Sequence, residues 1–176
     1  MIFDRRRALS LLAASLLPVR ASAANDLLLA ELPGQVEAPE FALPDLAGKV
    51  QRLSTFRGRP VLVNFWAVWC PPCRRELAEL AELRKSLADT PFEILAINLG
   101  DSVERIKTFL ANYPAPNLPI LLDADSSAAT PWHVSASGLP VAYAVDRSGI
   151  LRLGAIGERN WRSPDIERQL RALIAA

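Results

Sequence analysis

Cysteine, histidine and methionine are nearly absent from this chain: its 176 residues include two Cys, one His and one Met. A structural zinc site usually takes four protein ligands. Cys70, Cys73 and His133 fall short of that number, so no metal is expected, and no other cofactor is implied. Two cysteines that lie close together also exclude a disulfide framework spread over the fold. An excess of charge of one sign is missing too. Twenty Lys and Arg stand against nineteen Asp and Glu, and no long basic block occurs in the body, which argues against a nucleic-acid partner. Finally, no apolar run reaches the roughly 20 residues that a membrane-spanning helix needs. What is abundant is ordinary core material, with 51% hydrophobic residues in a length that suits one domain.

The first 23 residues differ from the rest. MIFDRRR carries positive charge, Ala8 to Val19 is a 12-residue apolar run, and ASA follows with small residues. That is the three-part layout of a secretory signal, with cleavage expected after Ala23. The arginines at 5, 6 and 7 fit a twin-arginine route or general secretion equally. An uncleaved membrane anchor is the less favoured alternative. Removing residues 1–23 leaves 16 basic and 18 acidic residues, a net charge of −2. Residues 24–37 read as a loosely ordered lead-in, and 38–176 as the folded domain. Export places that domain in an oxidising compartment, the periplasm, where disulfides persist.

Within the domain, LPDLAGKVQRL reads as two short extended segments around a turn at Ala47-Gly48. VLVNFWA is a buried strand. From Pro72 the pattern becomes helical, with Leu77, Leu80, Ala81, Leu83, Arg84 and Leu87 on one face and Glu76, Glu79 and Glu82 elsewhere. FEILAINL is a second strand. A helix over Val103 to Leu110 follows, capped by Asp101 or Ser102, and then a strand at LPILLD. VAYAVD and ILRLGAI pair around Arg147-Ser148-Gly149. Ser163 caps a last helix that turns Ile166, Leu170 and Leu173 inward. Strand and helix alternation in the middle requires a parallel pair, and the terminal hairpin adds antiparallel strands. The expected fold class is therefore α/β, a mixed sheet covered by helices on both faces.

The two cysteines stand in NFWAVWCPPCRRE, separated by Pro71 and Pro72. As a staple the pair is weak, because closing so short a loop removes little unfolded-state entropy. As a redox pair it makes physical sense. Cys70 lies where a buried strand meets a helix start, a place that favours the thiolate, which is the nucleophile. Cys73 lies one turn on and can reach back to resolve a mixed disulfide. The two prolines withhold amide donors that would otherwise stabilise the thiolate, so Cys70 is expected to be less acidic than in strong oxidants. A CxxC beside a βαβ pattern is a general thioredoxin-like signal.

APEFALPDLAGKVQRLSTFRGRPVLVNFWAVWCPPCRRE resembles the TlpA/ResA-like family of exported thiol–disulfide oxidoreductases, as do GLPVAYAVDRSGIL and GERNWRSPDI. The resemblance covers roughly residues 38–175. It implies a thioredoxin-like fold with an N-terminal β-hairpin and a central helical insertion. It also implies that Cys70 attacks, that Cys73 resolves, and that Pro140 is a cis-proline facing the pair. Gly138-Leu139-Pro140 by itself is compatible with a cis bond or with a trans-proline opening a strand. A cis bond would expose the backbone of Leu139 to an extended client. Asn64 stands where ordinary thioredoxins carry a buried aspartate, so the proton relay needs another group. Glu76, three residues after Cys73, is the candidate, with partial burial between its helix and the cis-proline loop raising its pKa. Trp69, Pro71, Pro72 and Leu139 are expected to contact substrate. Trp66 is read as core, His133 as structural, and Arg74 and Arg75 as a solvated face. Val141 departs from the family, where a Thr often follows the cis-proline.

The expected function is protein-disulfide reduction in the periplasm by a Cys-Pro-Pro-Cys dithiol, acting as a monomer. The resemblance implies a membrane thiol electron donor and exported clients such as apocytochrome c or copper-site cysteines. Two alternatives stay open: a non-catalytic module that captures a client or metal, and a thiol peroxidase of the same superfamily.

Overall fold

A computed structural model describes residues 28–113 and 117–176. The expected signal of residues 1–23 lies outside the described residues. In chain order the elements are β1 (Ala30–Glu31), β2 (Ala42–Pro44), β3 (Val50–Arg52), β4 (Val61–Trp66), α1 (Pro71–Ser86), β5 (Glu93–Leu99), α2 (Val103–Asn112), β6 (Ile120–Asp123), β7 (Val141–Val145), β8 (Leu151–Ile156) and α3 (Pro164–Ala175). The fold is thioredoxin-like. A six-stranded mixed sheet runs β1-β8-β7-β4-β5-β6, and β2 with β3 forms a separate hairpin. β4 pairs in parallel with β5, and β5 with β6, while β7 runs antiparallel to both β4 and β8.

β4 is buried at every residue, because both faces of this central strand are covered. Its side chains alternate between two apolar layers. Leu62 and Trp66 face a layer that holds the cysteines together with Leu77 and Leu80 of α1, Ile106 of α2 and Ile166 and Leu170 of α3. Val61, Val63 and Phe65 face Phe41, Leu43, Phe56 and Trp132 on the other side. All three α-helices therefore bury residues in one layer, and the opposite face is closed by the β2–β3 hairpin and short 3-10 turns. This corrects the expectation of helices on both faces. The reason is strand order: β4, β5 and β6 lie in sequence across the sheet, so two right-handed crossovers put α1 and α2 on the same side.

The local signals act as their chemistry dictates. In the β2–β3 hairpin, Asp45 accepts the amides of Ala47 and Lys49 while Gly48 takes φ +83°. Ser102, and not Asp101, caps α2 by accepting the Arg105 amide, and Ser163 caps α3 by accepting that of Asp165. Over residues 28–37 the lead-in makes specific contacts with the domain. Leu29 is buried and exchanges two hydrogen bonds with the Gln169 side chain, β1 pairs with β8, and Glu37 bridges Ile150. Two-residue pairing leaves no periodicity to read, which is why the sequence hid it.

Candidate active site

The sheet brings four segments to one of its ends. The parallel strands β4 and β5 both finish there, with Trp66 opposite Asn98. β7 starts there, since Val141 pairs with Phe65, and β8 finishes there, with Ile156 beside Val141. The cysteines follow β4, Pro140 precedes β7, and residues 157–161 follow β8. Segments far apart in sequence thus surround one position.

Between β4 and α1, residues 67–70 form a turn closed by the Cys70 amide on the Ala67 carbonyl at 3.2 Å. Cys70 keeps an extended backbone and is the N-cap of α1, and its sulfur accepts the Cys73 amide at 3.3 Å. Sulfur here does what Ser or Asp oxygen does at most helix starts. Pro71 and Pro72 occupy the first helical positions without N–H groups, and the next amide, of Arg74, bonds the Cys70 carbonyl. Cys70 and Cys73 form a disulfide across a Cα separation of 5.3 Å. Both are buried, at 3% and 1% exposure, whereas the neighbouring Trp69 is 46% exposed. Pro71 is exposed and Pro72 half-buried. The Leu139–Pro140 bond is cis, Pro140 is buried, and its carbonyl accepts the Gly157 amide at 2.8 Å. Leu139 is half-buried against both apolar layers.

Glu79 is half-buried and Glu82 exposed, whereas Glu76, expected to be partly buried, is buried. It is 1% exposed and shares the buried face of Cys73, Leu77 and Leu80. The segment after β8 lies against it. Oε1 accepts the Arg159 amide at 2.6 Å, while Oε2 has no hydrogen-bond partner among the described residues. Burial is the largest influence on this carboxyl and pushes it up to about 7. The Arg159 amide and the Trp161 indole pull the other way, although the indole closes no well-formed hydrogen bond. The charges of Glu158 and Glu79 add to the rise. The covering segment is clipped along α1 by Arg75 to Glu158 at 2.7 Å, the Trp161 amide to Glu79 at 3.1 Å, and Arg162 to Glu82 at 2.6 Å. Arg75 is therefore a clip and not merely a solvated charge.

Asn64 is 1% exposed on the strand face of Leu62 and Trp66, and its amide nitrogen has no partner among the described residues. Trp66 is buried in the core against Phe109, as expected. His133 closes a 3-10 turn in the left-handed region, φ +56°, with its amide on the Thr130 carbonyl. Sequence reasoning missed two features. Arg159 and Trp161 carry no catalytic residue type, and only the helix-to-loop contact reveals them. Asp101 was weighed as a cap, yet its buried carboxylate reaches the Val68 amide at 2.7 Å.

Comparison with known proteins agrees with this geometry. Residues 35–153 match the AhpC/TSA family. The thiol-disulfide oxidoreductase ResA of Geobacillus kaustophilus (strain HTA426) is 33% identical over 136 residues, covering 77% of this chain and 75% of the relative. ResA of Bacillus subtilis (strain 168) is 34% identical over 113 residues, 64% of this chain and 62% of that one. A solved structure described as a putative thiol:disulfide interchange protein DsbE from Chlorobium tepidum superposes with a TM-score of 0.73 at 30% identity, over 81% of this chain and 99% of the other. StoA from Bacillus subtilis, at 19% identity and a TM-score of 0.62 over 77% of this chain and 96% of its own, shares the fold. A helix-capping cysteine, a second cysteine one turn behind it and this set of relatives lead to one conclusion: the chain belongs to the AhpC/TSA family and is a thioredoxin-fold thiol–disulfide oxidoreductase of the ResA kind.

Proposed function

We propose that this oxidoreductase acts in the periplasm, or the equivalent space outside the cytoplasmic membrane, as a reductant of disulfides in exported proteins. Cys70 attacks the client disulfide and forms a mixed disulfide. Cys73 then displaces the client thiol, leaving the client as a dithiol and the enzyme as the Cys70–Cys73 disulfide. A membrane thiol donor restores the dithiol. Clients such as apocytochrome c or copper-site cysteines suit a domain whose reactive sulfur is shielded and reached past an exposed tryptophan. Trp69, Pro71, Pro72 and Leu139 supply the contact surface, with Pro140 beside the pair. Glu76 exchanges a proton with the resolving thiol.

The observation that carries this reading is the combination of Cys70 as helix cap with one amide on its sulfur and a buried carboxyl one turn beyond Cys73. One amide, where a helix start without prolines offers more, leaves the thiolate modestly stabilised. A modestly stabilised thiolate means a reducing pair. The thiol-peroxidase alternative needs a threonine ahead of the reacting cysteine, and Trp66, Ala67, Val68 and Trp69 stand there. A pure capture module has no use for a resolving cysteine at this spacing.

Equilibration with glutathione tests the direction. On the scale running from about −270 mV for thioredoxin to about −120 mV for a strong oxidant, the pair should lie near the reducing end. A value near the oxidising end contradicts the reductant role.

A further inference from the structure

Asp101 has no part in the chemistry described so far, yet its placement is specific. Its side chain is 1% exposed, just past the end of β5. Oδ2 accepts the Val68 amide at 2.7 Å and the Asn98 side-chain amide at 3.1 Å. The Asp101 amide returns a bond to Asn98 Oδ1 at 3.3 Å, and Oδ1 pairs with Arg105 at 3.3 Å. Helix capping does not explain it, because Ser102 performs that task. Nor is it a solvent-exposed ion pair, since only Arg105 of the two reaches solvent. A buried carboxylate is costly unless several donors satisfy it, and the donors here come from β5, from α2 and from the turn that carries Cys70.

Val68 is the second residue of that turn. Residues 67–70 are closed from within by the Cys70 amide on Ala67 and tied from without by Val68 on Asp101. We propose that Asp101 is a positioning residue for the dithiol: through the Val68 amide it fixes the turn that holds the Cys70 sulfur in line with both Cys73 and an incoming client disulfide. This inference rests on the reading of Cys70 and Cys73 as the exchanging pair. An intramolecular disulfide is favoured in proportion to how often its two sulfurs meet. A turn held by one bond instead of two lets Cys70 wander and lowers that effective concentration. Two consequences follow together. The internal disulfide becomes easier to reduce, and attack on a client disulfide slows.

The test compares Asp101→Ala, Asp101→Asn and Ser102→Ala in insulin reduction and in glutathione equilibrium. Asp101→Ala should lose roughly tenfold in exchange rate, as misplacing a reacting atom by a fraction of an ångström does, and shift the equilibrium toward the dithiol. Asp101→Asn keeps a carbonyl for the Val68 amide and should return the rate to within about threefold of wild type. Ser102→Ala removes the cap from α2 but leaves the turn, and should match wild type in both measurements. Wild-type values for Asp101→Ala, no rescue by Asn, or an equal fall in Ser102→Ala would each overturn the proposal. Amide hydrogen exchange of the native protein decides the matter even where Asp101→Ala fails to fold. The Val68 N–H should exchange slowly, and fast exchange refutes the tie. The glutathione equilibrium and the Val68 protection read the turn directly. Failure of wild type to reduce insulin would count against the functional reading and leave those two results standing.

Discussion

Replacing Glu76 by glutamine removes a buried ionisable group and keeps the shape, so its effect can be worked out with a sign. The folded carboxyl is raised from the ordinary value of 4.5 to about 7. Between those pH values the folded protein holds a proton that the unfolded chain has already lost. Stability from this group is therefore fully present below pH 4.5 and is lost as pH rises through 7. At about 1.4 kcal/mol per pH unit, the loss amounts to about 3 kcal/mol. In Glu76→Gln the amide carbonyl still accepts the Arg159 N–H, and nothing ionises. The amide donors that take the place of Oε2 cost about 1–3 kcal/mol at every pH, so the slope and not the level carries the information. Urea unfolding of the oxidised proteins from pH 4.5 to 8 gives the difference in stability between variant and wild type. That difference should move in favour of Glu76→Gln by about 3 kcal/mol across the range. The same variant, reduced, should exchange more slowly and show an altered pH dependence of thiol alkylation, because no carboxyl is left to exchange a proton with Cys73. A difference curve that is flat in pH, together with superimposable alkylation profiles, would refute the assignment of Glu76 as the proton-exchanging group.

Other outcomes follow from the same geometry. Trp69→Ala should leave the unfolding midpoint nearly unchanged, since the ring is 46% exposed, and should slow reduction of a protein disulfide more than that of a small one. Ser163→Ala should cost about 1 kcal/mol in urea unfolding through loss of the α3 cap, without effect on exchange rate.

The sequence disclosed what local chemistry controls. β4 was visible because a strand covered on both faces is apolar throughout, and α1 because Leu77, Leu80 and Leu83 recur on one face. The CxxC placed the Cys70–Cys73 disulfide at the start of α1, since a helix cap and the residue one turn on are fixed by the helix itself. What stayed hidden depended on segments distant in sequence. For Glu76, expected to be partly buried, the hidden part is the contact with residues 157–161, which reach it from 83 positions away at Arg159. Asp101 looks like a cap until parallel pairing of β4 and β5 brings it under Val68, 33 positions earlier. That all three α-helices bury residues in one layer also stayed hidden, because it follows from strand order, which helix periodicity does not encode. Export, client and donor are matters of partners, and for these the residues give chemistry but no identity.

The most direct measurement is trapping with the two single-cysteine variants. Reduced Cys73→Ser keeps the attacking thiol and lacks the group that resolves the adduct. Incubated with a disulfide-containing client protein and run on a non-reducing gel, it should accumulate a mixed disulfide that dithiothreitol releases. Cys70→Ser under the same conditions should accumulate none and reduce nothing. Adducts formed by Cys70→Ser but not by Cys73→Ser would contradict the account, because the buried Cys73 would then be the attacking thiol and the helix-capping Cys70 the resolving one.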